Sequence, residues 1–177
     1  MKNIIFIFSL PRSGSTLLQK ILMVNSAVNS VSEPWLLLPL LYIRKRNKVF
    51  SEFGSLLASE AIDDLIKELP NKEKDYNDAI KNYVTFLYKK LNKNNEQYFI
   101  DKTPRYYFII PEIAKIFPNA KFIFLFRNPL AVLASICNSW HKGNLEFSSN
   151  YRDIYEGPKR LAAGYNLLKS KSIAIQY

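Results

Sequence analysis

The chain has 177 residues, of which 48% are hydrophobic and 14% aromatic, enough apolar material for one domain with a real core and too much for a disordered segment. Its formal net charge of +10, from 25 Lys+Arg against 15 Asp+Glu, admits nucleic acid, anionic lipid or an anionic cofactor, and equally lysines that only decorate solvated helix faces; there is no arginine-rich arm and no aromatic RNA-binding signature. A single cysteine, Cys137, excludes an internal disulfide, and a single histidine, His141, without zinc-type spacing argues against metal chemistry.

Asn3 to Phe8 is continuous, Ile/Phe-rich and ended by turn residues, the pattern of a buried parallel strand. The turn, Pro11-Arg12-Ser13-Gly14-Ser15-Thr16, is built of small hydroxyl residues, one glycine and one arginine. Such a turn lets backbone N–H groups at a helix start approach an anion. The lysine of a nucleotide triphosphatase loop is absent, since Ser15 follows Gly14, so the loop is suited to phosphate and not to ATP hydrolysis. A helix is predicted over Ser15 to Met23, with Leu17, Leu18, Ile21 and Leu22 as its buried stripe. Val28 to Pro34 reads as a connection and Leu36 to Arg46 as a helix. Phe50 to Glu68 and Tyr76 to Leu91 read as amphipathic helices separated by a solvated loop, Pro70 to Asp75.

Gln97 to Ile100 reads as a short strand, followed by Asp101-Lys102-Thr103-Pro104-Arg105. Pro111 to Ile116 is helical, and Lys121 to Phe126 is a second buried strand ending at Arg127-Asn128-Pro129. Leu130 to Trp140 is a helix with Pro129 at its first position, and it carries Cys137 in an apolar pattern as a buried thiol. Tyr151 to Lys169 is helical and Ser172 to Tyr177 begins another strand. No signal peptide is visible, because Met1-Lys2-Asn3 runs straight into the first strand. The apolar run Leu36 to Leu41 is too short to span a bilayer and is broken by Pro39. The expectation is a soluble, cytoplasmic protein.

Strands alternating with helices predict a parallel sheet with helices on both faces, whose ligands bind beyond the carboxyl ends of the strands. Three such ends each carry a cation: Arg12, Lys102 and Arg127. The ordinary polarity of loops would also supply a cation here and there.

The segment Pro11 to Leu18, with Lys102-Thr103-Pro104, Phe117-Pro118-Asn119-Ala120-Lys121-Phe122, Phe126-Arg127-Asn128-Pro129 and Ser135, resembles the sulfotransferases that use 3′-phosphoadenylyl sulfate (PAPS). The likeness is to their tyrosylprotein and bacterial-type branch and extends over essentially the whole chain. It implies an α/β fold: a P-loop-like three-layer domain over residues 1–177, its central parallel sheet flanked by helices and its C-terminal end incomplete. The resemblance implies that Arg12, Ser13, Gly14, Ser15 and Thr16 cradle the 5′-phosphosulfate. Arg127 and Ser135 would hold the 3′-phosphate, Glu33 would be the general base, and Lys102, assisted by Arg12, would stabilise the developing charge, with no metal.

Plainer readings stand beside these roles. Ser135 can be a small residue for close helix packing, Glu33 a helix-start acid, and Asp101 the salt-bridge partner of Lys102. The sequence departs from the family at Ser9, where many members have glycine, and at Ser139, where the branch commonly has arginine. The expected acceptor is a hydroxyl or amine of a carbohydrate, peptide tyrosine or small metabolite. Residues 36–95 would shape its pocket, with Tyr42, Phe50, Phe53, Tyr76 and Tyr83 available to stack on rings or, more simply, to pack between helices. No nucleic-acid partner and no membrane span are expected, and the oligomeric state is open, a homodimer included. The alternatives are a P-loop nucleotide kinase-like protein, or a truncated, non-catalytic nucleotide- or nucleic-acid-binding remnant.

Overall fold

A strand with no polar alternation needs cover on both faces, and β1 (Asn3–Ser9) has it at the centre of the sheet. The computed structural model describes residues 3–46, 48–92, 94, 96–144 and 147–177; Met1 and Lys2, and Asn95 at the end of the expected acceptor segment, lie outside them. β1 pairs in parallel with β3 (Tyr98–Lys102) on one side and β4 (Lys121–Phe126) on the other. The edges are β2 (Val28–Ser30) and β5 (Ser172–Gln176), giving the all-parallel order β2-β3-β1-β4-β5.

Alternation along the strands sorts the side chains into two faces. One is an aromatic ladder: Phe8 stacks on Phe122 at 5.8 Å, and Phe6 tilts against Phe117 at 5.3 Å. Helices α4 (Glu73–Leu91), α5 (Ile110–Ile116) and α8 (Gly157–Leu168) contribute to this larger core. On the other face Ile7, Ile100 and Ile123 form a smaller cluster, against which Leu18 and Leu22 of α1 (Ser15–Leu22) pack. Asp101 pairs with Phe6 and Lys102 with Ile7, so these adjacent residues project to opposite faces.

Several boundaries differ from the sequence reading. β2 occupies part of the expected connection; a three-residue edge strand carries too little pattern to be seen. α1 turns Ser15 and Gln19 inward and leaves Leu17 and Ile21 exposed, so the predicted stripe is rotated. α2 (Leu37–Tyr42) is shorter than predicted. α3 (Ser55–Glu68) starts after Gly54, whose φ of 77° suits a residue without Cβ, and this leaves Phe50 and Phe53 exposed. α4 begins at Glu73, inside the predicted loop, with acidic Glu73 and Asp75 in its first turn. The last helical region is divided into α7 (Phe147–Tyr151), a π-turn over Arg152–Glu156, and α8. α6 (Pro129–Trp140) follows β4 as expected, with Cys137 buried in it. Among the described residues, no helix is long and apolar enough to cross a membrane.

Candidate active site

The loop after β1 turns by means of two left-handed residues, Arg12 (φ 60°) and Gly14 (φ 92°). Ser13 is buried and donates its hydroxyl to the Leu10 carbonyl at 2.6 Å, so its side chain braces the turn and is not free for a ligand. Gly14 is the N-cap of α1 and brings no side-chain acceptor, which leaves the first amides of the helix available to an anion. A Cβ on Gly14 would lie 3.4 Å from the ring of Tyr177, which covers this turn.

Arg12 reaches across to α6, donating from Nη2 to Ser139 Oγ at 2.7 Å and from Nε to Ser135 Oγ at 3.3 Å. Arg127, at the end of β4, donates from Nη1 to the Arg12 carbonyl at 2.8 Å, and its guanidinium lies 4.9 Å from the Tyr177 ring centroid. The serine standing where the branch commonly has arginine is thus a partner of Arg12.

Glu33 is fixed from two directions. Buried Gln19 donates its side-chain amide to Ser30 Oγ at 2.5 Å and to the Val31 carbonyl at 2.6 Å, and Ser30 in turn donates to the Ile100 carbonyl at 2.7 Å. These bonds tie the segment before Glu33 to α1 and β3. Trp35, at a positive φ of 54°, donates its indole N–H to Glu33 Oε2 at 3.2 Å, and its backbone N–H reaches Thr103 Oγ1 at 3.3 Å. Glu33 is not a helix-start acid, since α2 begins at Leu37.

Lys102 is 1% exposed, and its ammonium donates to Glu33 Oε1 at 2.7 Å and to Thr16 Oγ1 at 3.3 Å. Asp101 faces away from it. Its buried carboxylate accepts from Tyr88, from Tyr106 at 2.9 Å and from Thr103 at 3.2 Å, so the plainer reading of Asp101 as the salt-bridge partner of Lys102 does not hold. Burial pushes the Asp101 carboxyl up to about 6, with the hydrogen bonds from Tyr88, Tyr106 and Thr103 opposing the rise. The same burial, together with the charge of Asp101, raises the phenol groups of Tyr88 and Tyr106 well above their ordinary value.

A cavity of about 450 Å³ joins these parts, lined by Arg12, Gly14, Ser15, Thr16, Glu33, Arg127 and Ser135 among others. Of the sequence-predicted residues, Lys102 contacts it through Thr16 and Glu33, and Ser13 only supports it. Trp35, Arg105 and Trp140 also line it and were not singled out from the sequence. Trp35 directly follows the Val28–Pro34 connection that carries Glu33, and Arg105 closes the Asp101–Arg105 stretch, so proximity to these segments was their only signal.

A family model described as the sulfotransferase family matches residues 4–177. The nodulation protein NoeE of Sinorhizobium fredii is 30% identical over 139 residues, covering 77% of this chain and 32% of that protein, so the chain spans about a third of this relative's length. Among solved structures, a sulfotransferase domain from the curacin biosynthetic pathway superposes with a TM-score of 0.61 at 24% identity, covering 100% of this chain and 68% of the other. A sulfotransferase from Alicyclobacillus acidocaldarius gives a TM-score of 0.58 at 13% identity, covering 99% of this chain and 73% of its own. At these identities the structural likeness establishes the fold.

Proposed function

The chain belongs to the sulfotransferase family, and from that premise we propose that it serves the transfer of a sulfuryl group from PAPS to a hydroxyl or amine of an acceptor. The observation that carries the reading is the meeting of Arg12, Arg127 and the Lys102–Glu33 pair around one cavity at the carboxyl ends of three parallel strands. The uncapped start of α1 fits an anionic donor, because a side-chain cap there would compete with a phosphate for the same amides.

Arg12, Gly14, Ser15 and Thr16 would hold the 5′-phosphosulfate, with Ser13 bracing the turn. Arg127 and Ser135 would hold the 3′-phosphate, an arrangement suited to a guanidinium fork and a hydroxyl on one anion. Bound there, PAPS supplies an activated sulfuryl group. Glu33 would take the proton that the acceptor loses as its new bond forms, and the Trp35 indole orients that carboxylate. The Lys102 ammonium stands between Glu33 and Thr16, shielded from water, where its charge acts most strongly on negative charge gathering at the loop. This is positioning and electrostatics without a covalent enzyme intermediate.

Transfer of label from sulfur-labelled PAPS to a panel of alcohols, phenols and amines tests the reading. Label should pass to at least one acceptor with the intact chain, and transfer should fall to background in Glu33→Gln. Transfer undiminished in that variant would remove Glu33 from the role of base.

A further inference from the structure

We propose that the groove beside α2 receives an apolar arm of the acceptor, so that the substrate is an alcohol carrying an alkyl or aryl chain. The proposal rests on the sulfuryl-transfer reading above and adds the acceptor's class to it.

The groove encloses about 370 Å³, within the range of small-molecule sites. Its walls are chiefly Leu38, Tyr42, Ile43, Val49 and Phe108, and Tyr42 meets Phe108 edge-on at 5.5 Å. Trp35 and Arg105 line both this groove and the cavity that holds Glu33, so the two spaces share a wall. That wall is held in place. Arg105 is clamped by Asp153, itself 2% exposed, at 2.7 Å from Nη2 and 3.2 Å from Nε, and Trp35 is bonded to both Glu33 and Thr103.

The two spaces adjoin at Trp35 and Arg105, so an acceptor whose hydroxyl lies at Glu33 would lay its arm across the Trp35 indole toward this groove. A saccharide arm would bury hydroxyls against side chains that offer few partners, which is unfavourable. An alkyl or aryl arm removes apolar surface from water on both sides. Arg152, exposed and lining the same groove, disfavours a cationic arm.

The protein has two tryptophans, Trp35 and Trp140, of which only Trp35 lines both spaces, so the Trp35 indole N–H resonance reports on the junction and Trp140→Phe assigns it. The probes are butan-1-ol, hexan-1-ol, octan-1-ol and glucose. The Trp35 resonance should shift with the alkanols, with affinity tightening about fourfold per methylene. Val49→Asp and Leu38→Gln should each weaken octan-1-ol at least about tenfold while leaving the affinity for adenosine 3′,5′-bisphosphate unchanged. Affinity independent of chain length, glucose binding as tightly as octan-1-ol, or an unaffected pair of variants would overturn the groove's assignment. The bisphosphate titration separates the two readings. Bisphosphate binding without the chain-length gradient leaves the donor site standing and removes the groove; the gradient without bisphosphate binding does the reverse.

Discussion

Asp101 gives a prediction that follows from burial alone. Its carboxyl is fully buried and pushed up to about 6, against an ordinary 3.8 in the unfolded chain. Between those values the folded protein holds a proton that the unfolded chain has already lost. Stability therefore rises as pH falls through about 6 and is lost as pH rises back through it. The gap is worth about 3 kcal/mol, of which about 2 kcal/mol lies between about pH 7 and 4.5. Asp101→Asn removes the charge but keeps an oxygen for the Tyr88 and Tyr106 hydroxyls and offers an N–H to Thr103 Oγ1. Asp101→Ala deletes the acceptor of all three hydroxyls, at a cost of about 3 to 5 kcal/mol in total. Urea unfolding of wild type and Asp101→Asn across this range should show the variant the more stable at neutral pH, the two converging by about 2 kcal/mol toward pH 4.5. Taking the difference cancels the opposite trend from Asp63 and Glu73, whose hydrogen bonds to Arg44 hold them below the ordinary carboxylate range. Parallel stability curves would refute the reasoning, since the carboxyl would then carry no burden from burial.

Lys102→Met should lower turnover by about a hundredfold or more while the bisphosphate product still binds within a few-fold, as single-turnover assays and calorimetry would show. Arg127→Ala should cost about tenfold or more in affinity for adenosine 3′,5′-bisphosphate and little for adenosine 5′-monophosphate, because only the former carries the group it would hold. Gly157→Ala should destabilise the fold by about 1 to 3 kcal/mol in chemical denaturation. The reason is that a Cβ there would come within 2.6 Å of Leu10 Cδ2 in the core.

β1 and β4 were legible because strands buried on both faces read as unbroken apolar runs bounded by turns. The phosphate-type loop and Arg127 were visible for the same reason, each coming at the end of such a run, whereas Lys102 is itself the last residue of β3. What was not legible depends on contacts distant in sequence. α1's inward face is set by Gln19 bonding the segment around Ser30, so a polar residue is buried where the apolar count favoured Leu17 and Ile21. The pairing of Lys102 with Glu33 spans 69 positions, and the sequence offered only the neighbouring Asp101 as an alternative partner. Extending β3 by two residues, to Lys102, would have separated them by strand alternation alone. Trp35, Trp140 and Tyr177 join the site through tertiary contact and carry no local pattern.

The most direct measurement is calorimetric titration of the intact chain with adenosine 3′,5′-bisphosphate, run beside Arg12→Ala and Arg127→Ala. One-to-one binding that weakens about tenfold or more in each variant is the expected result. Binding equally tight in wild type and both variants, or no binding by the folded wild-type chain, would contradict a shared donor site built by these cations.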